Sequence, residues 1–245
     1  MSELFIDRGN TALKWQVLEG GALRVAGAAN NNIPLGEALG QLSGSNYSAV
    51  FVSSVGEDDF CKNLSKWAAD QGHASPVFFK SSPQACGVAN AYDEPSQLGV
   101  DRWLAMIAAH NKYSGMLCVV DSGTALTMDF INNEGLHLGG FIVPGAELMK
   151  SSLLDNTQKI TLQVTHPAGQ LGKNTTAAVS LGIQQMLRAF VLQQLAEMEI
   201  KHQQKITLII TGGHAKELTE NLSVTGHIES DLVFQGMRLL SEQSA

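Results

Sequence analysis

Two stretches place a carboxylate, a glycine and small hydrogen-bonding side chains in the order a phosphate group needs: Asp7-Arg8-Gly9-Asn10-Thr11 and Asp121-Ser122-Gly123-Thr124. Consecutive backbone N–H groups in a tight turn converge on an anion, and glycine lets the backbone approach closely. Thr or Asn adds a donor, and an aspartate at a strand end can hold Mg2+ beside the phosphates, directly or through water. In the first stretch Ala12 and Leu13 lead to Lys14, a cation within reach of a phosphate, while Arg8 could reach one or point away. Thr211-Gly212-Gly213-His214 ends a third apolar run, and its glycines leave room for a flat base. Any one of these turns alone reads equally as an ordinary hairpin or strand-to-helix turn. Three together, each at a strand end, point to ATP. Gly169-Gln170-Leu171-Gly172-Lys173-Asn174 misses the spacing of a P-loop, and no G-x-G-x-x-G occurs.

The elements that must carry these turns alternate between strand and helix. Leu4-Phe5-Ile6, Ala12 to Leu18, Ala22 to Ala28 and Ala49 to Val52 read as strands, and Phe60 to Gln71 as a helix. Gln97 to Tyr113 has apolar residues at 100, 103, 104, 107 and 108, which is helical spacing. Met116 to Val120, Ala125 to Ile131, Leu136 to Val143 and Ile206 to Ile210 read as strands. Ala146 to Leu154, Thr175 to Glu199 and Asp231 to Ser241 read as helices. The two acidic turns lie 114 residues apart, each between apolar strands, which points to an internal duplication. The expected architecture is α/β: two duplicated lobes, residues 1–114 and 115–245, with a nucleotide cleft between them.

Composition narrows the class. The 245 residues carry 16 basic and 23 acidic side chains, for a net charge of -7, with no Lys/Arg run, so nucleic acid is an unsuitable partner. Cys61, Cys86 and Cys118 form no C-x-x-C pair and read as reduced thiols of a cytoplasmic protein. The N-terminal MSELFID does not read as a signal peptide, and no stretch approaches the ~20 apolar residues of a membrane span.

Asp101, in Gly99-Val100-Asp101-Arg102-Trp103, opens the helix before the second acidic turn. A carboxylate there either complements the helix dipole or serves catalysis, and the residues alone leave both open. Taken together, Asp7-Arg8-Gly9-Asn10-Thr11 with Lys14, Gly99-Val100-Asp101-Arg102, Asp121-Ser122-Gly123-Thr124-Ala125 and Gly139-Gly140-Phe141-Ile142-Val143-Pro144-Gly145 resemble the ordered motifs of type III pantothenate kinases. Gly172-Lys173-Asn174-Thr175 and Thr211-Gly212-Gly213 follow in the family's order. The resemblance runs from position 4 to about position 240 and implies the duplicated ribonuclease H-like fold of actin-like ATPases and sugar kinases. It also implies ATP-dependent phosphorylation of pantothenate, the first step of coenzyme A synthesis.

The resemblance assigns roles as well. Asp101 is then the base at the pantothenate hydroxyl. Gly99, Val100 and Arg102 line the pantothenate site, with Arg102 on the carboxylate, and Tyr92 contacts the substrate. Thr124 touches ATP, and Asp121 binds a monovalent cation, K+ or NH4+. The family's homodimer brings a Thr like Thr175 to the partner's substrate. From Thr175 to Glu199, apolar residues at 179, 183, 186, 187, 190 and 191 mark one helical face. Leu181, Leu192, Leu195 and Met198 mark a second, which suits a two-fold interface. The alternatives are a kinase for another small hydroxylated substrate, or a non-catalytic nucleotide-binding regulatory factor of the same fold.

Overall fold

The computed structural model describes residues 2–55, 58–156, 171–220 and 222–243; Gly169 and Gln170 of the P-loop-like stretch lie outside them. The chain forms two compact units, residues 1–112 with 231–245, and residues 113–230.

In the first unit, β1 (Ser2–Arg8) and β2 (Ala12–Glu19) form a hairpin that β3 (Ala22–Asn30) extends; α1 (Leu35–Ala38) leads to β4 (Ala49–Ser54), and α2 (Asp58–Asp70) to β5 (Val77–Phe78). The sheet order is β3-β2-β1-β4-β5, antiparallel among the first three strands and parallel from β1 to β5. Leu4, Phe5 and Ile6 are all buried because β1 is covered on both faces, which is why the run is continuous rather than alternating. Leu4, Ile6, Leu13, Trp15 and Val17 meet Phe60 and Leu64 of α2. A small hairpin, β6 (Gln84–Ala85) and β7 (Val88–Ala89), and a 3-10 turn at Pro95–Gln97 precede α3 (Val100–Lys112), which starts at the first apolar position, three residues after the expected Gln97.

The second unit repeats the plan. Its strands β8 (Met116–Ser122), β9 (Ala125–Ile131) and β10 (His137–Pro144) are followed by α4 (Ala146–Asp155), α5 (Thr175–His202), β11 (Ile206–Thr211), α6 (Ala215–Thr219) and β12 (Gly226–Ile228). The sheet order β10-β9-β8-β11-β12 matches that of the first unit strand for strand, with the same parallel and antiparallel pairs. This is the duplication that the two turns suggest. Ile183, Leu187, Val191 and Leu195 of α5 cover Met116, Cys118, Val120, Leu126 and Met128. Near the ends of this unit Tyr113 donates a hydrogen bond to Glu229 and lies against the His227 ring; burial and Glu229 push the phenol up to about 12. The three cysteines are free thiols.

The closing helix, α7 (Leu232–Gln243), corrects the expected division of the chain, which assigned everything after 114 to the second lobe. Leu232, Phe234 and Met237 are buried, and Phe234 and Met237 share a core with Phe5, Val100 and Leu104 of the first unit. A Cβ at Gly236 would lie 2.0 Å from the Leu104 carbonyl oxygen, so the α7 and α3 backbones touch at this glycine. An apolar helical stripe announces burial but does not name the surface that covers it.

Candidate active site

The β1–β2 hairpin builds the first phosphate-type turn. Gly9 N–H donates to the Ala12 carbonyl at 3.1 Å, leaving Asn10 and Thr11 exposed at the tip. Register pairs Asp7 with Lys14 and Arg8 with Leu13. Directly paired residues share a face and successive ones alternate. Asp7 and Lys14 therefore lie on the face of Phe5, and Arg8 and Leu13 on the face covered by α2. The Arg8 guanidinium sits 4.3 Å from the Phe60 ring centroid, a cation–π contact. The Arg8 side chain takes the α2 side, opposite Asp7. Asp7 is nearly buried and Lys14 exposed.

At the head of α3, Trp103 N–H donates to the Gly99 carbonyl at 3.0 Å, and Arg102 N–H to Asp101 Oδ1 at 2.8 Å. A Cβ at Gly99 would lie 2.6 Å from that same Oδ1, so glycine is what lets the carboxylate fold back here. The Arg102 side chain is 6% exposed, and its Nη1 donates to the Tyr92 hydroxyl at 2.9 Å. Tyr92, Gly99, Val100, Asp101 and Arg102 are thus brought together in one unit. Their support includes a residue that sequence reasoning missed. Asn90 Oδ1 accepts from Tyr92 N at 3.0 Å, while Asn90 Nδ2 donates to the Ser82 and Pro95 carbonyls at 3.3 and 3.2 Å. An asparagine in a turn-rich stretch was its one signal, shared with many others.

In the second unit three distant motifs meet. Gly123 N–H donates to the Ala125 carbonyl at 3.0 Å, Gly145 N–H to the Thr124 carbonyl at 2.9 Å, and His214 N–H to the Ser122 carbonyl at 2.9 Å. Gly145 has no room for a side chain, since a Cβ would lie 2.3 Å from the Gly123 oxygen. Gly212 has φ +95°, and its Cβ would lie 2.3 Å from Asp121 Oδ1 and 2.5 Å from the Ser122 oxygen. Asp121, Thr124 and Gly212 therefore form one layer at the carboxyl ends of the parallel pair β8 and β11. Gly213 and Thr124 are exposed. Thr175 is exposed in the first turn of α5, where Asn174 Oδ1 caps the helix by accepting from Ala177 N at 2.8 Å.

A family model described as type III pantothenate kinase matches residues 3–197. The chain belongs to the type III pantothenate kinase family. It is 36% identical over 243 residues to the type III pantothenate kinase of Pseudomonas fluorescens, covering 96% of this chain and 97% of that one. It is also 36% identical over 256 residues to the enzyme of that name from Hahella chejuensis, covering 98% of both. Among solved structures it resembles one described as a Baf family transcriptional activator from Campylobacter jejuni (TM-score 0.59, 24% identity, 98% of both chains). It also resembles component A of the (R)-2-hydroxyglutaryl-CoA dehydratase of Acidaminococcus fermentans (TM-score 0.53, 12% identity, the whole of both chains). The fold is the duplicated one of actin-like ATPases and sugar kinases, and the chain is an enzyme of the kinase class.

The donor sets can be set against the divalent and monovalent cations that the sequence resemblance implies. Among the described residues no group of three His, Cys, Asp or Glu could cage a metal. A single carboxylate, Asp7, opposite Lys14 suits Mg2+ bound chiefly through phosphate oxygens and water. Beside Gly212 lie two oxygens, Asp121 Oδ1 and the Ser122 carbonyl, donors of the kind a hard cation takes. Among the described residues no helix is long and apolar enough to cross a membrane.

Proposed function

We propose that this chain phosphorylates pantothenate to 4'-phosphopantothenate with ATP, as a cytoplasmic homodimer, and that Asp101 is its catalytic base. The observation that carries the reading is the meeting of Tyr92, Arg102 and Asp101 at the head of α3. A planar guanidinium matches a carboxylate bidentately, and pantothenate offers a carboxylate together with a primary hydroxyl. The half-buried Tyr92–Arg102 bond holds the guanidinium in place before the substrate arrives. Asp101, one residue away, orients the hydroxyl and accepts its proton, while Gly99 and Val100 line the same pocket. Phosphoryl transfer asks for positioning and charge neutralisation more than covalent chemistry. The N–H groups of the Gly9–Ala12 turn and Lys14 hold phosphate oxygens, together with Thr124, and Gly212 and Gly213 flank the base. Mg2+ near Asp7 and K+ or NH4+ near Asp121 would supply the remaining neutralising charge.

The dimer is supported by apolar exposure in the second unit. Phe141 and Ile142, on the edge strand β10, are 41% and 61% exposed, Leu148 of α4 is 46% and Met186 of α5 is 52% exposed. Phe141 and Phe190 meet edge to face at 5.6 Å. Of the second strip on α5, Leu181 is buried and Leu195 belongs to the core of its own unit, so the candidate interface centres on β10, α4 and Met186. Thr175, exposed at the start of the same helix, is then the residue contributed to the partner's pantothenate.

The deciding assay gives the purified protein ATP, Mg2+, K+ and pantothenate, and follows ADP and 4'-phosphopantothenate together. Turnover on a sugar or acetate but not on pantothenate would overturn the substrate. For the shared site, inactive Asp101→Asn and Thr175→Val subunits are mixed. Recovery of part of the activity after subunit exchange is expected, and no recovery overturns sharing.

A further inference from the structure

The Gly9 turn has little behind it. On the α2 side of the hairpin Arg8, Leu13, Asn31, Phe60 and Asn63 border a cavity of about 300 Å3, and an added Cβ at Gly9 would meet only the Ala12 oxygen at 3.8 Å. One residue, Asn31, spans the turn. Asn31 Nδ2 donates to the Gly9 carbonyl at 2.8 Å, and Asn31 N–H to the Thr11 carbonyl at 3.0 Å. Asn31 directly follows β3, whose Asn30 pairs with Ala12, so the sheet itself anchors the strut. Peptide planarity converts this into a direction. In a trans peptide the C=O of one residue and the N–H of the next point opposite ways. Drawing the Gly9 carbonyl toward Asn31 therefore turns the Asn10 N–H away from it. That N–H makes no hydrogen bond among the described residues, and Asn10 lies exposed at the tip of the turn.

We propose that Asn31 is a positioning residue for phosphoryl transfer: its side-chain amide sets the Gly9–Asn10 peptide so that the Asn10 N–H meets a phosphate of ATP. This rests on the reading of the turn as an ATP site. Losing one such bond frees a peptide whose donor must be aimed, which is worth about tenfold in ATP affinity.

The test measures ATP and pantothenate KM separately, together with calorimetric ATP binding, for Asn31→Ala, Asn31→Ser and Asn31→Asp, with Asn63→Ala as control. Asn63 borders the same cavity but makes no hydrogen bond to the turn. Asn31→Ala should raise the ATP KM and Kd about tenfold and leave the pantothenate KM within about twofold. Serine keeps a short donor and should fall between wild type and alanine. Aspartate cannot donate to the carbonyl and adds a charge that repels phosphate, so it should be worst. Asn63→Ala should bind ATP like wild type. Unchanged ATP affinity in folded Asn31→Ala and Asn31→Asp overturns the proposal, as does an equal loss for both substrates that merely follows a lower melting temperature. A wild type that does not use ATP would instead overturn the reading beneath it.

Discussion

Each unit carries an acidic glycine turn between its first two strands, and the two are braced differently. Gly9 N–H closes the first on the Ala12 carbonyl, and Gly123 N–H closes the second on the Ala125 carbonyl, one residue nearer. In the first, Gly9 has room around it, with the nearest atom to an added Cβ at 3.8 Å, and a side-chain amide holds the turn from outside. In the second, Gly145 and Gly212 press directly on the turn, with added Cβ atoms 2.3 Å from the Gly123 oxygen and from Asp121 Oδ1. The carboxylate proposed for catalysis, Asp101, belongs to the first unit. The sheets repeat strand for strand while the support of the turn differs: a side-chain hydrogen bond from Asn31 in one, close approach of Gly145 and Gly212 in the other.

The sharpest way to break this contrast is at Asp101. Asp101→Asn should fold normally and lose roughly 10²–10⁴ in kcat, the range for a positioned base. Circular dichroism and steady-state rates decide it, and a folded variant with wild-type kcat would return Asp101 to the role of a helix-end carboxylate. Next come the glycines. Gly145→Ala and Gly212→Ala each drive a methyl into backbone or carboxylate oxygen, and Gly212 also has positive φ, so each should cost roughly 3 kcal/mol. In a chain of this size that lowers Tm by about 10 °C. Gly9→Ala should leave Tm within a few degrees and appear instead as a raised ATP KM, since its methyl meets the approaching phosphate rather than the protein. Comparable Tm losses at Gly9 and Gly145 would erase the distinction.

Much of this plan was legible in the sequence. The acidic turns, the apolar strands before them and the helix carrying Asp101 are specified by residues a few positions apart. The short strands β5 and β12 were not, because two or three residues show no periodicity. Asn31 and Asn90 were also silent, since an asparagine reveals its partner only when another segment arrives.

A gentler probe is ionic. Asp121→Asn should weaken or abolish stimulation by K+ or NH4+ while Mg2+ dependence persists. Equal stimulation of the variant and wild type in sodium buffer titrated with potassium would remove the cation from Asp121. The smallest effect again concerns the first unit. His73 is buried between the rings of Tyr47 and Trp67, at 4.8 and 4.9 Å, and burial holds its imidazole below the ordinary 6.5. The unfolded chain therefore binds a proton that the folded one resists. Stability is complete above pH 6.5 and declines as pH falls toward the lowered folded value. Tm measured from pH 7.5 to 5 should drop, and His73→Phe should flatten that slope. A parallel slope in the variant would assign the acid sensitivity elsewhere.

What the sequence determined by itself was local: which runs become strands, where the chain turns with an aspartate and a glycine, and which helix opens on Asp101. These follow from backbone conformational preference and side-chain periodicity, which act over a few residues. The tertiary structure decided the partners. Asn31 met Gly9, Tyr92 met Arg102, Gly145 met Thr124, His214 met Ser122, and α7 returned to α3. Donors, acceptors and apolar stripes are generic along a chain, and only their complementarity in three dimensions selects which of many equivalent groups each one meets.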